Sequence, residues 1–191
     1  EHENAGTKPL PTIDENFWLT AAQKTSETCP GGTCTIATDT AVGPKYYSGN
    51  VTVNAGVKLT ISGPLYITGN LTLNSGSELS IDQTKCPAST VLFINGTILI
   101  NSGSKIYSTN TDPKNFLLLV SDAATTQSIH VISTNILEAI FYARGSSGDV
   151  LFDTNTSITG ALVATGNLAV SSSTVTYPSG SLTNALFSTC Q

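Results

Sequence analysis

A 20-residue echo runs through this chain. Gly49-Asn50-Val51-Thr52-Val53-Asn54-Ala55-Gly56-Val57-Lys58-Leu59-Thr60-Ile61 returns as Gly69-Asn70-Leu71-Thr72-Leu73-Asn74-Ser75-Gly76-Ser77-Glu78-Leu79-Ser80-Ile81. It returns again, 27 residues further on, as Gly96-Thr97-Ile98-Leu99-Ile100-Asn101-Ser102-Gly103-Ser104-Lys105-Ile106-Tyr107. Self-similarity at this period is the mark of a β-solenoid, in which each repeat is one coil that buries its apolar side on the next.

Composition supports a folded β protein. Only 11% of the 191 residues are charged, and low charge with low hydrophobicity can mean disorder. Here the apolar residues alternate in short β-branched runs, which is the pattern of strands. A chain of this length is one domain-sized unit, able to bury roughly 70% of its unfolded surface. The net charge of −5, with eight scattered Lys and Arg residues, argues against nucleic acid as a partner, because that affinity comes from neutralising phosphates.

The chain contains no methionine and begins Glu1-His2-Glu3-Asn4, which reads as a mature or excised fragment of a longer precursor. No apolar run reaches the 18 or more residues (roughly) of a membrane span; any anchor is expected upstream.

Four cysteines permit three pairings. Cys29 and Cys34 lie across a Pro30-Gly31-Gly32 turn, which suits a small closed loop, and by elimination Cys86 meets Cys190. A redox or zinc role is the weaker reading: the spacing is not that of a redox motif, and only His2 and His130 could assist in binding metal. Structural disulfides place the protein outside a reducing cytoplasm.

Residues 1–12, with Pro9 and Pro11, read as a linker. Residues 13–24 are predicted to form a helix whose face is Ile13, Phe17, Ala21 and Lys24, with acidic residues in its first turn and Lys24 in its last. Residues 25–45 are assigned to the cap at the start of the stack. From Lys45 onward each coil is expected to supply three short strands. The first inward column is Val51/Val53, Leu71/Leu73, Ile98/Ile100, Val150/Phe152 and Leu168/Val170. The second is Leu59/Ile61, Leu79/Ile81, Ile106, Ile158 and Val175/Tyr177. The third is Leu65/Ile67, Leu92/Ile94, Leu118/Val120, Ile140/Tyr142 and Leu162/Ala164. Residues 128–138 fit as an irregular coil, 82–90 as an inserted loop, and Leu186-Phe187 with the Cys190 bridge as the finishing cap.

The third strand is apolar on both sides, with Tyr66, Phe93, Leu119, Phe141 and Val163 pointing outward. Such a run is normally covered on both faces, and the nearest cover is the Phe17-Trp18 helix. The second strand turns Thr60, Ser80, Tyr107, Thr159 and Thr176 outward, stacked about 4.8 Å apart, beside an alternating-charge ladder of Lys58, Glu78 and Lys105. This column is either a solvated face with favourable cross-strand pairs or a flat polar platform that binds a sugar or a crystal surface.

The order of several segments resembles a known family. They are Trp18-Leu19-Thr20-Ala21-Ala22, Gly43-Pro44-Lys45-Tyr46-Tyr47-Ser48-Gly49, Ser62-Gly63-Pro64-Leu65-Tyr66-Ile67, Phe116-Leu117-Leu118-Leu119-Val120-Ser121, Ala139-Ile140-Phe141-Tyr142-Ala143 and Tyr177-Pro178-Ser179-Gly180. Together they resemble the β-solenoid ectodomains of bacterial type IV pilin-like and PilX-type pilus-assembly surface proteins. The resemblance implies a non-catalytic module following an upstream hydrophobic helix, partnered by other pilus or cell-surface subunits, with no catalytic residues to carry over. The stretch from Thr156-Ser157-Ile158-Thr159-Gly160-Ala161 to Val175-Thr176-Tyr177-Pro178 is similar to the closing coils of bacterial and fungal ice-binding β-solenoids. That likeness implies a secreted surface-binding protein, although the long inserted helix of those proteins has no counterpart after residue 45.

Parallel β-helices also host polysaccharide lyases and glycosidases, which need paired carboxylates or a basic group in a groove. Asp149 and Asp153 lie near one coil corner with Arg144 before them, but side-chain directions alternate along a strand. His130 reads as a surface or hydrogen-bonded strand residue, with no nucleophile-base pattern beside it. Asp112, Asp122 and Asp153 lack the dense spacing of a calcium loop. Asn50, Asn70, Asn95 and Asn155 fall in glycosylation triplets that matter only in a eukaryotic secretory host.

The sequence therefore predicts an all-β, three-faced β-solenoid of about six coils over residues 45–191, capped by the helix and disulfide loop of residues 13–44. Its expected role is an extracellular, non-catalytic pilin-like or cell-surface module for adhesion or structure, with no cofactor. The alternative is a secreted ice- or glycan-binding protein.

Overall fold

The computed structural model describes residues 12–86, 89–108, 116–177 and 190. Parallel strands climb around one apolar interior, preceded by a helix, α1 (Glu15–Ala22). The first coil is β1 (Ser26–Ile36) and β2 (Thr40–Val42), and the second is β3 (Lys45–Val53) and β4 (Lys58–Ile61). The third is β5 (Leu65–Ile67), β6 (Leu71–Leu73) and β7 (Glu78–Ile81). The fourth is β8 (Thr90–Ile94), β9 (Ile98–Ile100) and β10 (Lys105–Ser108). The fifth is β11 (Leu117–Ser121), β12 (Ile129–Val131) and the start of β13 (Ile136–Ala143). The sixth continues through β13, β14 (Val150–Phe152) and the start of β15 (Ser157–Ala164), and the seventh ends in β16 (Leu168–Val170) and β17 (Thr174–Thr176).

All pairings among the described residues are parallel, and each strand from β3 onward sits on its counterpart one coil earlier. Val51, Leu71, Ile98, Ile129, Val150 and Leu168 thus form one vertical file. Coil length varies while the file holds, so extra residues are accommodated at corners. Residues 128–138 are accordingly a regular coil: Ile129 and Val131 enter the first column and Leu137 the second, each fully buried.

Two corner devices recur. Between the first and second strands a tight turn places one residue in the left-handed region: Gly56, Gly76 and Gly103 in the echoed coils, then Thr134, Asn155 and Ser172. Glycine adopts that conformation without the steric penalty of a Cβ, which is why the echo keeps Asn-x-Gly. Between the third and first strands, Asn50 Oδ1 accepts from Asn70 N–H and Asn70 Oδ1 accepts from Thr97 N–H, each at 2.8 Å. These side chains satisfy backbone donors that the turn would otherwise leave unpaired.

The stack starts earlier than residue 45. The second half of β1 pairs with β3 (Cys34 on Val51, Ile36 on Val53), and β2 pairs with β4. A bulge between Thr28 and Thr33 separates the halves of β1, and the Cys29–Cys34 disulfide, Cα atoms 4.6 Å apart, closes it. Both sulfurs belong to the core cluster. The second disulfide joins Cys86, after β7, to Cys190. At the other end, Leu168, Val170 and Val175 stand in register on Val150, Phe152 and Ile158. They are 51%, 36% and 43% exposed, against 0% for the residues beneath them. The predicted cap at Leu186-Phe187 lies outside the described residues.

The third column corrects the predicted register. Leu65, Leu92 and Leu119 are in line, and Phe141 sits on Leu119. Leu117, Leu119, Ala139 and Phe141 therefore face the interior. Leu118, Val120, Ile140 and Tyr142, predicted inward, point out with Tyr66 and Phe93 into a second apolar cluster. A run apolar on both faces has no alternation to fix its phase, and a one-residue slip exchanges the faces.

That outer cluster is where α1 docks. Asp14 caps the helix, its carboxylate accepting from Phe17 N–H at 3.1 Å. The helix is shorter than the predicted 13–24, and its buried face is Trp18, Ala21 and Ala22. Phe17 turns outward and is 52% exposed, packing edge-on against Trp18.

Candidate functional site

The second face carries the residues predicted as a binding platform. Thr60, Ser80 and Tyr107 are in register, and Thr159 pairs with Thr176. Glu138, on β13 opposite Thr159, enters the same outward column. Tyr107 sends its hydroxyl back to Glu78 Oε2 at 2.8 Å, and Lys58 Nζ lies 5.5 Å from its ring. Ser80, alongside, is fully buried and its hydroxyl has no partner among the described residues. Lys105 pairs with Glu78 at 3.4 Å. The hydrogen bond from Tyr107, followed by the lysine contacts, holds the Glu78 carboxyl below its ordinary range. The structure thus brings the predicted residues onto one face, but a tyrosine ring, an ion pair and a carboxylate interrupt the hydroxyl plane.

The third face is closed by α1 through a polar clasp at its edge. Glu15 accepts from the Tyr66 hydroxyl at 2.7 Å and from Arg144 Nη2 at 2.6 Å. Arg144 also forms a two-point contact with Asp122, and its guanidinium lies 4.8 Å from the Phe93 ring centroid. Partial burial pushes the Glu15 carboxyl up, but the hydrogen bonds from Arg144 and Tyr66 outweigh it and leave the group below its ordinary value. Burial, reinforced by the Glu15 carboxylate, pushes the Tyr66 phenol up to about 12. Beyond the helix an apolar groove of about 550 Å³ remains, lined by Ile13, Trp18, Leu118, Ile140, Val163 and Tyr177.

The first face was not singled out by its sequence. Its outward column is Thr35, Thr52, Thr72, Leu99, His130, Leu151 and Ala169. The fourth coil turns its corner with residues 95–97, whereas the fifth uses residues 122–128 between the paired ends Ile94/Ser121 and Ile98/Ile129. The surplus forms a ledge beside a groove of about 330 Å³, lined by Thr97, Leu99, Thr125, Thr126, Gln127 and His130. Fully buried Ser128 braces the ledge by donating to the Ala123 and Thr125 carbonyls. Asp149 N–H ties it to the next coil through Thr125 O. His130 Nε2 lies 3.2 Å from Asp153 Oδ2. The signal was present in the echo itself, since Val51-Thr52-Val53 and Leu71-Thr72-Leu73 place their threonines outward as clearly as the second strand does.

The remaining candidates have local partners. Asp149 accepts from Asn167, continuing the asparagine corner ladder, and Arg144 serves the clasp. Asp112 lies outside the described residues. Among the described residues no three His, Cys, Asp or Glu side chains stand close enough to hold a metal ion, and no helix is long and apolar enough to cross a membrane.

No curated protein and no solved structure matches the chain. A sequence family does, along residues 2–183: the one described as "Domain of unknown function (DUF7305)". That match takes in the helix, the first coil and the stack together, and the chain belongs to the DUF7305 family.

Proposed function

We propose that this protein is a rigid, non-catalytic extracellular module, displayed at a cell surface or on a pilus-like assembly for adhesion or structure. The observation that carries this reading is the disulfide pair set into a parallel stack. One bond lies in the core of the first coil and the other spans 104 residues, a use of cysteine that belongs to oxidising compartments. The stack suits a rod that presents surfaces, because each coil contacts only its neighbours and the faces stay in line. Its partners on this reading are other surface subunits or a surface glycan. Of the two surface ligands that the sequence suggests, ice fits the less well, since Tyr107 and Glu138 break the flat hydroxyl face that it would need.

Immunogold labelling of producing cells with antibody to the folded chain tests the placement. Label on the surface or along filaments is the expected result. Recovery of the protein in the medium, with bare cells, would overturn surface display.

A further inference from the structure

We infer that the first face is a binding site for a linear, uncharged glycan, its chain lying along the stack axis across Thr52, Thr72, Leu99 and His130 and against the ledge of Thr125–Gln127. The inference rests on the adhesion reading above and names the ligand class for it.

Three features point to this chemistry. The groove is lined by hydroxyl, amide and imidazole groups over an aliphatic floor at Leu99, without a Lys, Arg, Asp or Glu among its lining residues. The Asp153 carboxylate, beside the groove's imidazole, is engaged with His130. Among the described residues, phosphate, sulfate and uronate ligands would find no Lys or Arg lining the groove, and cationic ligands no Asp or Glu. A neutral sugar, with hydroxyls at its rim and C–H groups on its faces, matches both the polar wall and the apolar floor.

The second feature is spacing. Outward residues of successive coils repeat at about 4.8 Å, close to the length of one sugar unit in an extended polymer. Thr52, Thr72, Leu99 and His130 are half-buried and in strict register, so an unbranched chain meets an equivalent position at each unit. The third is preorganisation. The ledge is held by buried Ser121 and Ser128 and by the backbone of the next coil, and His130 is oriented by Asp153. Binding therefore requires little ordering of the protein, which favours affinity.

The test is titration calorimetry of the intact, disulfide-bonded chain with unbranched gluco-, manno- and xylo-oligosaccharides of increasing length. Polygalacturonate and heparin serve as charged comparators. Binding to at least one neutral series, tightening with length, is expected. His130→Ala and Gln127→Ala should each weaken it by about tenfold, in line with loss of one hydrogen-bonding group. Thr72→Arg, which fills the path, should abolish it, while Thr60→Arg on the second face leaves it unchanged. Unaltered thermal unfolding of the variants separates lost contacts from lost folding. No binding to any neutral series, preference for the charged polymers, or sensitivity to Thr60→Arg alone would each overturn the inference. None of these outcomes depends on where immunogold label falls, so the site and the surface-display reading fail separately.

Discussion

Arg144 donates to Glu15 at 2.6 Å across 129 residues of sequence, fastening α1 to the end of β13. The same guanidinium grips Asp122 and covers the Phe93 ring, so one side chain joins three successive coils and the helix. Replacing it with Met leaves two partly buried carboxylates without their cation, which typically costs about 1–3 kcal/mol. Arg144→Met should lower the thermal midpoint and shift the emission of Trp18, the only tryptophan, to longer wavelength. An unchanged emission maximum would mean that the helix stays seated without the clasp.

The clasp also sets a pH response. The Glu15 carboxyl is held below its ordinary value in the folded protein, so its contribution is complete above the unfolded carboxyl pKa of about 4.3. It is lost as pH falls through the depressed folded value. An acid titration followed by Trp18 emission should show a transition below about pH 4, and Glu15→Gln should remove that step. The raised phenol of Tyr66 works in the opposite direction: its contribution is present below about pH 10 and fades as pH rises through about 12.

Trp18 supplies most of the helix's bulk against Tyr66, Phe93 and Tyr142. Trp18→Ala should cost about 3–5 kcal/mol, expressed as undocking of α1 rather than collapse of the stack. Amide exchange would speed up across residues 15–22, while β5, β8 and β11 stay protected. Dye binding to newly exposed apolar surface should rise in parallel.

Two glycines separate conformational strain from crowding. Gly56 has φ +71°, and a methyl group placed on its Cα would meet nothing within 4 Å, so Gly56→Ala should cost only the left-handed penalty of about 1–2 kcal/mol. Gly160 has φ +150°, and a Cβ there would overlap the Ala139 carbonyl oxygen of the preceding coil. Gly160→Ala should therefore destabilise distinctly more in denaturant melts. Equal losses would show that the β13–β15 contact relaxes freely.

Much of this fold was legible because the first-strand echo fixes both period and phase: Val51-Thr52-Val53 can alternate only one way. The third strand gave the period but not the phase, since Phe116-Leu117-Leu118-Leu119-Val120 is apolar at every position. The first coil is hidden in the sequence because the bulge at Cys29–Gly32 splits β1 and breaks its resemblance to later coils. The helix is legible, yet its buried face is rotated from the expected one, with Trp18 taking the place of Phe17. Of the surfaces, the hydroxyl column of the second face could be read directly. The first-face groove could not, because it depends on how many residues each corner spends between strands 27 and 31 positions apart (Leu71 to Ile98, Ile98 to Ile129).

The two disulfides should differ in weight. Closing a loop of 104 residues restrains the unfolded chain far more than closing one of five, with about 4.7 kcal/mol expected for a loop of roughly 100 residues. The double variant Cys86→Ser/Cys190→Ser should lose more stability than Cys29→Ser/Cys34→Ser, as read from chemical denaturation. The reverse order would indicate that core packing of Cys29 and Cys34 outweighs loop length.

The Cys86–Cys190 bond has a mechanical consequence. Tension applied to the chain beyond Cys190 passes through the sulfurs directly into the third coil, and from there towards the N-terminal side. Strands β8 to β17, with the ledge and its groove, lie within the covalent loop and outside the load path. Pulled from both directions, the stack would stretch its first three coils while its last four coils remain at rest. Reduction of that single bond would reroute the force through the seventh coil, whose file residues Leu168, Val170 and Val175 stand exposed.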